Sequence, residues 1–330
     1  MTAQTRYDLN ALFLFVLLGA ATAADAQVQP QLAQRYFEEA TTLCERDAGR
    51  LWGVSLCGPM VIFDQATGTR ATSQPEPAGP TPRFSGFADG PVTWGGVRWF
   101  SFPLSFLPEK DAAARQQVML HGLFHRIQPG LGLITDDGAN EHLDTLEGRF
   151  WMQLEWRALR RAVESSGSNR AEAIADALAF RRERRRLFPG AADNERREEI
   201  REGLASYTGI AAWANSPADA HRAAAAELAG GELQSSFVGN FEAASGPAYG
   251  VLLDDLLPGW RRQVRGTSDL GDLLASATNR PPTTDLAVAA ARYDEATLRT
   301  AEEARDRARQ YSVVCRQRRF HRVCRARLHR

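Results

Sequence analysis

Apolar residues recur at helical spacing over most of the chain, and short strand-like runs are confined to residues 54–102. Leu32, Tyr36, Ala40 and Leu43 mark one face of a helix over Gln31 to Leu51. Val54 to Asp64 reads as a strand interrupted by Cys57-Gly58-Pro59, with Arg70 to Ser73 returning after a turn at Ala66 to Gly68. Pro91 to Trp94 and Val97 to Phe102 flank Gly95-Gly96, the signature of a hairpin.

Beyond Pro108 the pattern is helical. Asp111 is placed to cap a helix that Pro129 stops, and Gly130 to Asn140 follows as a loop. Leu143 to Val163 and Arg170 to Leu187 form two long helices joined by Ser165 to Ser168. A further helix starts near Asn194, and others cover Pro217 to Ala229 and Ala248 to Leu257. Pro281-Pro282 breaks the chain before a helix over Asp285 to Gln310, whose alanines and mixed charges predict a largely solvent-exposed element. The expected fold is α+β, predominantly helical, with a small N-terminal antiparallel sheet.

Composition narrows the picture. At 44 % hydrophobic, 330 residues suffice for a globular core. Forty basic and forty acidic residues cancel, which removes the electrostatic case for nucleic acid as partner. Arg6, the apolar run Ala11 to Ala24 and Ala24-Asp25-Ala26 describe an export signal over residues 1–26. No later run approaches spanning length, so no membrane span is expected in the mature chain, which is placed in the periplasm or outside the cell. In that compartment four cysteines imply two disulfides with three possible connectivities, of which Cys44/Cys57 and Cys315/Cys324 are the local pairs. The arginines 181, 182, 184, 185 and 186 read as a solvated helix face. The tail from Tyr311 is rich in arginine and is assigned no function.

The candidate chemistry lies in Val118 to Gln128. His121 and His125 sit four residues apart on one helical face and can reach a single metal ion, while Met119, Leu120, Leu123 and Phe124 face the core. The spacing is that of the HExxH helix of zinc peptidases, in which a glutamate between the histidines acts on a zinc-bound water. Gly122 stands at that glutamate's position.

The HxxxH pair followed by Glu202-Gly203-Leu204-Ala205-Ser206-Tyr207 resembles the gluzincin metallopeptidases, particularly the aminopeptidase-N-like group, whose third ligand sits in an EGxAxY helix. The resemblance covers roughly residues 111–257 and implies His121, His125 and Glu202 as ligands of one zinc. Tyr249 would then be a candidate donor to a developing oxyanion. Three features depart from the family: Gly122 itself, the 76 residues between His125 and Glu202, and the lack of a GxMxN motif for gripping a peptide amino terminus.

Glu141, Glu147 and Glu155 are candidates for a compensating base, and Asp144, Glu147 and Glu155 for orienting a ligand histidine. His142 reads as a surface or capping residue. The resulting organisation is a signal peptide (1–26), an N-terminal helix and small sheet (27–108), a zincin-like helical domain (109–280) and a C-terminal helix with a basic tail (281–330). The expected function is that of an exported zinc metallopeptidase-like protein acting on peptides or proteins, hydrolysing peptide bonds by zinc-activated water but lacking its general base. The alternative is an inactive pseudo-peptidase that binds peptide or protein.

Overall fold

The computed structural model describes residues 28–84, 90–278, 280–281 and 283–317. The residues read as an export signal and most of the basic tail lie outside them. Helix α1 (Pro30–Asp47) begins at a proline in its first turn, where the missing N–H costs nothing. Its Cys44 is bonded to Cys57, fixing the local connectivity. Cys324 and the side chain of Cys315 lie outside the description.

Four strands follow, β1 (Met60–Phe63), β2 (Arg70–Thr72), β3 (Gly90–Trp94) and β4 (Val97–Pro103). The β3–β4 hairpin turns at Gly95-Gly96, and β2 returns antiparallel on β1. The sheet is nevertheless mixed, in the order β2-β1-β4-β3, because β1 pairs parallel with β4. Twenty-odd residues between β2 and β4 give the chain room for the crossover that a parallel pair needs. One face of β4 carries Phe100 and Phe102 into the core.

Helix α2 (Ala112–Ile127) starts where the Asp111 carboxylate accepts a hydrogen bond from the Ala114 N–H, and a 3₁₀ turn containing Pro129 ends it. It packs against β4 on one side and against α6 (Leu204–Trp213) on the other. Helices α3 (Leu146–Glu164) and α4 (Gly167–Leu187) form an antiparallel pair, and α7 (Pro217–Glu232) and α8 (Phe241–Leu256) close the helical layer.

The helix expected at Ala248 begins seven residues earlier and carries Pro247 in its interior. At that level α8 touches the segment bearing Glu202, since a Cβ on Gly246 would stand 2.4 Å from the Gly203 Cα. The helix expected over 285–310 is divided into α10 (Leu286–Ala291) and α11 (Glu295–Gln317), with α9 (Leu270–Ala277) before them. The break falls at Asp294, which takes a left-handed backbone (φ 56°). Although much of α11 is exposed, Leu298 and Glu302 are buried, and Glu302 accepts from Arg149.

The expectation of a solvated arginine face is overturned for Arg181 and Arg184 in the C-terminal part of α4. Arg181 and Arg184 are 3 % and 0 % exposed. Arg184 donates to Glu155 (2.5 Å) and Glu195 (2.7 and 2.9 Å), and Arg181 to Glu155, Glu199 and Asp269. Guanidinium groups enter a core only when carboxylates meet them there. The acids arrive from α3, α5 (Ala191–Glu198), the turn after it and the loop before α9. Arg182 and Arg186 stay exposed as expected. No helix among the described residues is long and apolar enough to cross a membrane.

Candidate metal centre

The two histidines lie one turn apart on α2, and Glu202 comes from a π-helical turn, Glu199–Gly203, inserted between α5 and α6. A π turn adds a residue to the helical ladder and re-aims the side chains around it, which is why such turns recur at functional sites. Here it brings Glu202 Oε2 to 3.2 Å from His125 Nε2 and 3.3 Å from His121 Nε2. The two Nε2 atoms are 3.0 Å apart. Among the described residues this is the only group of three metal-capable side chains whose donor atoms converge.

The donor set fits a divalent cation. Tetrahedral zinc with ligands at about 2.0–2.1 Å places neighbouring donor atoms roughly 3.3–3.4 Å apart, and the three edges here are 3.0, 3.2 and 3.3 Å. The protonation pattern points the same way. Gln128 donates its amide N–H groups to the carbonyls of Ile200 and Arg201 at 3.0 and 2.9 Å, so its Oε1 must accept. The partner of Oε1 is His125 Nδ1 at 2.8 Å, which assigns the proton to Nδ1 and leaves the Nε2 lone pair facing Glu202. A lone pair and a carboxylate at this distance repel one another unless a proton on His121 or a cation lies between them. Glu202 Oε2 supplies the carboxylate oxygen of this donor set.

Neither orienting residue is one of the acids expected for that role. Ser206 Oγ lies 3.3 Å from His121 Nδ1, and Gln128 serves His125. Gln128 follows His125 by three residues, a same-face spacing that sequence alone could have flagged. It also ties α2 to the π turn. Replacing it, Gln128→Leu, is expected to weaken metal binding about 10–100-fold, read by competition with a chromophoric chelator, while the helical content holds. An unchanged affinity would remove Gln128 from the site.

The acids proposed from sequence are committed elsewhere. Asp144 accepts from Ser236 Oγ and the Phe237 N–H, Glu147 from Trp151 and Arg299, and Glu155 from Arg181, Arg184 and Tyr249. Glu141 is exposed on a 3₁₀ turn. Tyr249 is corrected as an oxyanion donor: fully buried, it donates to Glu155 Oε1 at 2.7 Å within the arginine network. Tyr207 donates to Asp254 at 2.7 Å and packs on Trp260. His142 Nε2 pairs with Glu195 Oε1 at 2.9 Å, as a non-ligand would.

Gly122 has a packing role. A Cβ at this position would lie 2.5–2.6 Å from ring atoms of Phe100 and Phe102. The side of α2 where a general base would project is therefore filled by strand β4. The Phe100 ring lies nearly parallel to the His125 imidazole, at 11° and 6.1 Å between centroids.

A pocket opens beside the cluster, with His121 and Glu202 in its wall together with Glu227 of α7 and Glu242 of α8. No family model, no characterised protein and no solved structure matches this chain.

Proposed function

We propose that the protein is an exported, gluzincin-type metallopeptidase-like protein. In this reading it holds one zinc through His121, His125 and Glu202 and binds a peptide or protein in the adjoining pocket, without the helix-borne base that HExxH enzymes use. The observation that carries the reading is the convergence of three metal-capable atoms at 3.0–3.3 Å with the His125 tautomer fixed by Gln128. Export is supported by the apolar leader ending in Ala24-Asp25-Ala26 and by the Cys44–Cys57 disulfide, which belongs to an oxidising compartment.

A second reading, residual hydrolysis of peptide bonds, is favoured by the ligand count. Three protein ligands that leave a coordination position open are the pattern of catalytic zinc sites, whereas structural sites use four. Bound zinc supplies Lewis acidity to a carbonyl and lowers the pKa of water. The chain's own contribution is to hold both imidazoles through Gln128 and Ser206 and to seat the ligand in the pocket.

Metal analysis decides the main reading. The untagged wild type is expected to carry one zinc per chain, and His121→Ala and Glu202→Ala are each expected to lose it. Retention in either variant would remove that residue from the site. Chelator-sensitive cleavage of a peptide library by the wild type would replace the binding reading with the hydrolytic one.

A further inference from the structure

The pocket beside the cluster has an unusual lining. Glu202, Glu227 and Glu242 all border it, and among the described residues no arginine or lysine does. Its remaining wall includes Val118, Ile210, Ala244 and Pro247, which are apolar. Glu242 is 2 % exposed, and its Oε2 has no hydrogen-bond partner among the described residues. A buried carboxyl oxygen without a partner is rare in a native protein, because either protonation state wants one. Glu227, facing the same space from α7, forms no hydrogen bond or ion pair among the described residues.

We infer that this pocket receives an alkylammonium group, with Glu242 and Glu227 as its carboxylate contacts and the apolar wall as the bed for the alkyl chain. An alkylammonium carries three donors on a compact charge at the end of an apolar stem, and each part has a counterpart here. A second metal ion fits less well. The donor atoms of Glu227 and Glu242 do not join any third metal-capable side chain in a convergent group among the described residues. Burial pushes Glu227 up to about 7 and, with the nearby Glu198 and Glu202, drives Glu242 well above the usual carboxylate range. Neither group forms an ion pair among the described residues, Arg201 acting on Glu242 only at longer range, and an incoming ammonium would supply that partner. Neither carboxylate belongs to the triad, although Glu202 borders the same pocket and bears on Glu242, so binding is measured with and without the metal.

The same chemistry is offered by a lysine side chain of a peptide and by a free alkylamine. Calorimetric titration of the full chain, zinc-loaded and chelator-treated, with N-acetyl-lysinamide, its Nζ-acetylated counterpart and n-pentylamine separates the sources. Tighter binding of N-acetyl-lysinamide than of pentylamine assigns a peptide lysine, and the reverse order assigns a free amine. In both cases Nζ-acetylation is expected to weaken binding about tenfold or more, as loss of a charge-assisted hydrogen bond does. Glu242→Gln and Glu227→Gln are expected to weaken it similarly with zinc content unchanged. Equal affinity for the lysine and acetyl-lysine probes, binding unaffected by either substitution, or no binding at all would overturn the inference and leave water as the partner of Glu242. If Glu242→Gln does not fold, Glu227→Gln alone decides. Binding to chelator-treated protein keeps this outcome distinct from failure of the metal site.

Discussion

Substituting Gly122→Glu, the change that would restore the HExxH pattern, is expected to yield a less stable protein with no gain of chelator-sensitive peptide cleavage. The reason is steric. A Cβ at residue 122 falls 2.5–2.6 Å from the rings of Phe100 and Phe102, and both rings are buried on β4, at 1 % and 0 % exposed. They are not the tips of flexible side chains that can swing into solvent. Overpacking of this kind costs about 1–3 kcal/mol, and the glutamate adds a carboxylate to the interface between helix and sheet. Gly122→Ala isolates the first effect. Alanine gains about 1 kcal/mol in helix propensity, so a net loss in urea titration would show that packing exceeds propensity at this position. The double variant Phe100→Ala, Gly122→Glu is expected to be more stable than the sum of its single changes, the non-additivity that a shared volume produces. Gly122→Glu with wild-type stability and newly gained hydrolysis would show that the position is only a missing base.

The converging triad was legible in the sequence because its information is local: His121 and His125 share a helical face, and Glu202 opens the short run Glu202-Gly203-Leu204-Ala205-Ser206-Tyr207. Asp111, Pro129 and the Gly95-Gly96 turn likewise marked their elements, since capping and turn chemistry are set by the residues themselves. What was not legible came from distant parts of the chain. Gly122 reads as a lost base until Phe100, 22 positions earlier, is seen lying against it. The parallel pairing of β1 with β4 depends on which strand the crossover reaches, and strand-like pattern alone does not encode that. Tyr249 looked like a donor to substrate because its sequence neighbours say nothing of Glu155, 94 positions away. The arginines of α4 misled for the same reason. A charge run looks alike on a solvated face and in a core, and only the tertiary positions of residues 155, 195, 199 and 269 distinguish the two.

Those arginines carry the second large effect. Arg184→Ala is expected to cost about 3–5 kcal/mol, the range for breaking a buried pair and leaving its carboxylates uncompensated. Arg182→Ala, on the exposed side of the same helix, is expected to fall within about 0.5 kcal/mol of wild type. The pH dependence identifies the mechanism. Burial opposes ionisation of Glu195, but Arg184, His142 and Arg185 hold its carboxyl well below the ordinary range. A carboxyl whose folded pKa is depressed binds fewer protons in the native state. It therefore contributes stability above the unfolded value, about 4.3 for glutamate, and loses it as pH falls toward the folded one. Removing Arg184 takes away the main source of that depression. The stability gap between wild type and Arg184→Ala, measured by urea titration, should be largest at neutral pH and narrow as pH drops below about 4. A gap of the same size at every pH would mean that Arg184 acts through its packed volume, and the charges around it would then be passengers of the fold.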